Sequence, residues 1–304
     1  MKKIYQIVFI GALLVGLASC EKEKFGPSIF VDPVVDTTTY TYEFDQWLYK
    51  HFTLPYNVDY RYRLDDNATD PNYNVVPVSM GMADTIAHLS LYLWYDVYDS
   101  VAPAGFLKEN GPRIIQLIGS AMINASQGTE KLGQAEGGIK ITLMKINEMQ
   151  TNNMDQLNEY IFKTMHHEFS HILHQKKTYP KEFEQLSSGN YNPDGWQYTS
   201  DEEAWQMGFA SPYGSSQARE DFVEIIANYI VKSDADINKM LTIAGQNGKN
   251  GQKILNQKID ICRTWLAEKW NLDLDELRAE VQRRQANLDW DEVMSLGFLN
   301  ESAE

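Results

Sequence analysis

The sequence predicts an α+β fold in which a small twisted sheet precedes one long helix, with a helical lobe toward the C-terminus. Three observations carry that reading. Short alternating or apolar runs at residues 56–62, 113–118 and 139–146 have the length and period of strands. Residues 152–175 contain no Gly or Pro, and Met154, Leu157, Ile161, Met165, Phe169, Ile172 and Leu173 recur at helical spacing. Beyond Ser233 the stretches 237–244, 253–270 and 275–287 all have helical patterns.

The elements follow in chain order. Lys2 and Lys3 open a basic start, residues 7–17 are an apolar run too short to span a bilayer permanently, and Leu17-Ala18-Ser19-Cys20 is a lipobox. The chain is therefore expected to carry a lipoprotein signal peptide over 1–19, lipidation at Cys20 and a tether over 20–39, anchoring it to a membrane through lipid. One domain is expected over 40–304, with an N-terminal lobe to about 175 and a helical lobe from about 176. In 56–62 aromatic and branched residues alternate with Asn57, Asp59 and Arg61, the period of a half-buried strand, and 65–71 breaks it. Residues 82–100 read as a helix with Ile86, Leu89, Leu93 and Val97 on its apolar face and His88 on its surface. The strand at 139–146 follows a Gly137-Gly138 turn, which makes it a candidate edge for pairing with an extended substrate.

The long helix carries His167-Glu168-Phe169-Ser170-His171. At about 100° per residue, His167 and His171 project from one side within reach of a single ion. Glu168 sits one position round, where it can touch a metal-bound water without being a ligand. Imidazole donors favour Zn²⁺ over calcium or magnesium. His166 is one residue off that face and His174 is three beyond His171, so both read as packing or supporting residues. A catalytic zinc needs a third protein ligand. Downstream, residues 219–230 form a second amphipathic pattern with acids at its start, and Glu220 and Glu224 share a face. The intervening stretch, 179–211, reads as a polar, aromatic loop region able to line a cleft.

A His-Glu-x-x-His helix followed by Tyr213-Gly214 and Glu220-Asp221-Phe222-Val223-Glu224 resembles the gluzincin pattern of the anthrax lethal factor type, and more closely the zinc-binding metallopeptidase lipoproteins of Bacteroidota. The resemblance runs from about His166 to Tyr229. It implies a zincin-like fold, Glu220 as the third zinc ligand, Glu224 as a residue orienting a ligand histidine, and Tyr213 as an oxyanion-stabilising hydroxyl. Asp221 is polar where the toxin-type pattern has an aromatic, which leaves either Glu220 or Asp221 to face the metal. The charged residues 21–24 resemble the export signal of Bacteroidota surface lipoproteins, which implies outer-membrane attachment and exposure at the cell surface.

A net charge of −15 makes nucleic acid or an anionic surface a poor partner. Only Cys262 accompanies Cys20, so no internal disulfide is expected once Cys20 is lipidated, and Cys262 reads as a buried apolar residue. The function expected is zinc-dependent hydrolysis of a peptide or protein substrate, with Glu168 as general base; the alternative is a zincin-fold surface lipoprotein that binds a glycan or protein without catalysis.

Overall fold

The computed structural model describes residues 37–64, 74–124, 129–131, 133–136 and 139–295. The signal peptide, Cys20, the tether up to residue 36, the 65–71 break and Gly137-Gly138 lie outside them. From Glu43 onward the chain is one unit, and a continuous apolar core runs through it from Phe44 to Val293.

The architecture is the α+β arrangement expected. A first helix, α1, covers Tyr42–Leu48 and continues through a π turn (Tyr49–Thr53) to Leu54–Tyr56. Next come β1 (Asp59–Arg61) and a long helix, α2, which runs from Met80 to Val101 around a central π turn. After a short α3 (Phe106–Asn110), strands β2 (Ile114–Leu117), β5 (Gly133–Glu136) and β6 (Lys140–Leu143) join β1 in a sheet of order β1-β2-β6-β5. The first three are parallel and β5 is antiparallel; β3 (Met122–Asn124) and β4 (Thr129–Lys131) pair separately. Then follow α4, from Met154 through a π turn to Lys176, and α5 (Lys181–Gln185), α6 (Asp201–Met207), α7 (Ala218–Val231), α8 (Asp234–Ala244), α9 (Gly251–Trp270), α10 (Leu274–Ala286) and α11 (Trp290–Ser295). Among the described residues no helix is long and apolar enough to cross a membrane.

Four expectations need correcting. The strand foreseen at 56–62 shrinks to β1, because Pro55 supports a helical turn that ends only at Asn57, which is left-handed at φ 58°. The strand before α4 is internal, not an edge: β6 lies between β2 and β5, and all four of its residues are buried. His88 is fully buried, stacked on Trp47 at 4.0 Å with Nδ1 bonded to the Asp84 carbonyl. The stretch 179–211 holds two helices. Pro180 leads into α5, and Ser200 and Glu203 form a reciprocal capping box at the start of α6.

One helix sets the geometry of everything that follows. α7 is buried on nearly all sides, packing on α4, α9 and α10, although its sequence carries Glu220, Asp221, Glu224 and Asn228 on the inside. Burying a carboxylate is costly unless a partner meets it. Asp221 meets Lys258 of α9: Lys258 Nζ donates to Asp221 Oδ2 at 2.6 Å with both side chains wholly inaccessible. Lys258 also donates to the Gly208 carbonyl (2.7 Å) and lies 4.3 Å over the Phe209 ring, while the Tyr191 hydroxyl donates to the same Asp221 oxygen at 2.8 Å. Burial pushes the Asp221 carboxyl up to about 6 against the pull of Lys258, and it lowers the Lys258 ammonium. Removing one partner leaves an uncompensated buried charge, worth about 3–5 kcal/mol. Lys258→Met is therefore expected to cut the unfolding free energy by that amount in urea titration, and Asp221→Asn combined with Lys258→Met should recover most of it. A single variant as stable as the parent would show that the pair does not anchor α7.

Candidate metal centre

The N-terminal half of α4 is set by Asn153, whose side chain accepts from Gln156 N–H at 3.1 Å and so caps a helix that continues through its π turn to Lys176. Its fourth and fifth turns deliver His167 and His171, both buried, to the face that meets α7. There the rotation of α7 decides which acid they meet. With Asp221 turned toward Lys258, the neighbouring Glu220 points the other way, and its Oε2 lies 3.2 Å from His167 Nε2 and 3.0 Å from His171 Nε2. These three residues form the one His/Asp/Glu cluster of metal-binding geometry among the described residues, their donor atoms within 4.8 Å of one another. Asp221 does not join it.

The donor set suits zinc. Two imidazole nitrogens and a carboxylate oxygen at bond lengths of about 2.0–2.2 Å in a tetrahedron would lie roughly 3.3 Å apart, close to the 3.2 and 3.0 Å that separate Glu220 from the two histidines. The outward nitrogens are tied down. The Glu224 carboxylate can only accept, so His167 Nδ1–H donates to its Oε1 at 2.7 Å, leaving Nε2 to face Glu220. His171 Nδ1 bonds His174 Nε2 at 2.9 Å. Burial, reinforced by His171, lowers His174 to about 4, so its ring is neutral and accepts the His171 proton. Glu224 is itself held: its Oε2 accepts from Ser211 Oγ (2.5 Å) and from Asn228 Nδ2 (3.0 Å), and Gly214 N–H donates to Ser211 Oγ at 3.2 Å.

The electrostatics favour a cation at this point. Burial alone would strip the proton from His167, yet hydrogen bonds to Glu220 and Glu224 outweigh it and push the ring up to about 10. Burial likewise opposes ionisation of Glu220, but His167 and His171 hold its carboxyl well below the usual range; against the same opposition, His167 and Lys163 help draw Glu224 down to about 2. Glu168 is buried beside the cluster, close enough for its charge to raise both His167 and the Tyr213 hydroxyl. Tyr213, in the turn before α7, sets its ring 5.9 Å from the His167 ring with Trp196 at 5.0 Å on its other flank. Burial first and the nearby Glu220, Glu168 and Glu224 next raise its hydroxyl above the ordinary tyrosine value, so it is a proton donor at neutral pH.

His167, Glu168, His171, Tyr213, Glu220 and Glu224 thus converge here, while Asp221 is held away by Lys258. His166 is a packing residue: its Nδ1 is hydrogen-bonded to the Tyr98 hydroxyl at 3.0 Å, and burial lowers it to about 3. Sequence reasoning missed Ser211 and Asn228. Asn228 was within reach, because Glu220, Glu224 and Asn228 follow at successive i+4 steps along one helix face; Ser211 carried no such signal.

Comparison with known proteins agrees with the site. No curated protein matches the chain. A crystal structure of a Bacteroides caccae protein described as a putative zinc-binding metallo-peptidase is 36% identical, covers 85% of this chain and 98% of that one, and superposes with a TM-score of 0.71. The family bearing the same description, "Putative zinc-binding metallo-peptidase", matches residues 37–275, a span that includes every residue of the cluster, and the chain belongs to that family.

Proposed function

We propose that the protein is a zinc-dependent peptidase of the gluzincin type, similar in its site to the lethal factor catalytic domain. The observation that carries this reading is the pairing of a two-histidine, one-carboxylate cluster with a buried glutamate between the two histidines in sequence. His167, His171 and Glu220 would hold the ion, and zinc bound there would supply Lewis-acid polarisation of a peptide carbonyl and a more acidic water.

The chain's own residues do the rest. Glu168 takes the proton from the attacking water and passes it to the amine that leaves as the peptide C–N bond breaks. Tyr213 donates from its hydroxyl to the oxygen that becomes negative in the tetrahedral transition state, an interaction of a kind that contributes about 3 kcal/mol. Glu224 and His174 keep the ligand rings in the orientation and tautomer the ion needs. The lipobox at Leu17-Ala18-Ser19-Cys20 supports the further reading that the enzyme is an outer-membrane lipoprotein, and the charged residues 21–24 support an outward-facing orientation, in which its substrates are peptides or proteins met at the cell surface.

Three outcomes test these readings. Metal analysis of protein purified without chelator should find one zinc per chain. Zinc should be lost in His167→Ala/His171→Ala and in Glu220→Ala; zinc held undiminished by Glu220→Ala would mean that another acid is the third ligand. Glu168→Gln should keep its zinc while peptide hydrolysis falls by about two to four orders of magnitude in a library digestion. Undiminished cleavage by that variant would exclude the mechanism. In fractionated cells the wild type should sediment with outer membranes and be shaved by external protease, whereas Cys20→Ser should be released or remain an uncleaved precursor.

A further inference from the structure

The segment between the two metal-binding helices encloses a cavity of about 600 Å³, open to solvent and well within the roughly 300–1,000 Å³ of ligand pockets. Asn190, Asn192 and Gln206 line it with amide groups, and Tyr198 contributes a ring that is 85% exposed. Its charged lining residues, Glu203 and Lys249, are of opposite sign, and the Glu203 carboxylate is engaged by Ser200 N–H and Oγ at 2.9 and 2.8 Å. The cavity therefore does not select for net charge. It offers groups that both donate and accept hydrogen bonds, together with one exposed aromatic face, which matches the alternating N–H and C=O of an uncharged polypeptide stretch.

Two contacts join this cavity to the metal centre. Asn192 N–H donates to the Ser215 carbonyl at 2.7 Å, within the turn that carries Tyr213, and Trp196, in the same short helical turn as Tyr198, lies 5.0 Å from the Tyr213 ring. The floor is fixed as well, since the lining residue Tyr191 donates its hydroxyl to the buried Asp221. We infer that the cavity is a subsite for substrate polypeptide remote from the bond being cut, so that the enzyme favours extended chains over short peptides. This inference rests on the peptidase reading above.

Gly189 supplies the test. It lines the cavity, a Cβ added there meets no atom within 4 Å, and its backbone is not among the left-handed glycines, so Gly189→Trp sets a large side chain at the cavity without strain at the backbone. A peptide cut in the library digestion is compared with the same peptide lengthened by several uncharged residues on each side. The longer one should show a KM about tenfold lower at similar kcat, the gain of one or two hydrogen bonds. Gly189→Trp and Tyr198→Ala should abolish the gain and leave zinc content and short-peptide kinetics unchanged. Independently, fluorescence anisotropy should show the longer peptide binding to Glu168→Gln protein and losing about tenfold in affinity when Gly189→Trp is added. Equal KM for both lengths, a gain that survives both variants, or displacement of the peptide by a neutral oligosaccharide would overturn the subsite. If the library digestion yields no cut peptide, while an uncharged polypeptide binds the protein in anisotropy and loses about tenfold in affinity with Gly189→Trp, the peptidase reading is overturned and the subsite stands.

Discussion

The ion pair between Asp221 and Lys258 is the constraint on which the rest of the centre depends. A helix buried on nearly all sides has no solvent-facing stripe to fix its rotation, so its polar residues must do so. Each carboxylate of α7 can lie only where a cation or a set of donors meets it, and Lys258, approaching from α9, satisfies one rotation. In that rotation Glu220 faces the histidines of α4 and Glu224 reaches the far nitrogen of His167. A contact that never touches the ion thus chooses which acid can.

The centre is built in layers that pass constraint inward. Glu220 receives two imidazoles; behind one imidazole stands Glu224, and behind the other stands a neutral His174. Glu224 in turn is gripped by Asn228 and Ser211. Such outer partners set tautomer and ring orientation, and their loss typically lowers metal affinity about 10–100-fold. The negative field they create around His167 is the same field that would retain a divalent ion.

Much of this centre is legible in the amino-acid sequence, for a physical reason. Ligands spaced i and i+4 on one helix are a local property, and the regular apolar spacing of residues 152–175 announces that helix without help from elsewhere. What cannot be read locally depends on distant segments. Glu220 and Asp221 differ by about 100° on one helix, and the group that separates them lies 37 residues downstream. His88 is hidden by Trp47, from the opening helix. The helices α5 and α6 are masked by aromatic and polar residues that suggest a loop, although Ser200 and Glu203 already spell a helix start. Ser211 depends on a turn whose shape no periodic pattern encodes.

The Ser211 contact has a consequence of its own. The carboxylate that steadies His167 also grips the hydroxyl around which the Tyr213 turn is folded, through Ser211 Oγ and Gly214 N–H. A displacement of Glu224 is therefore felt at the His167 ring and at the Tyr213 turn together, and neither can be repositioned without the other.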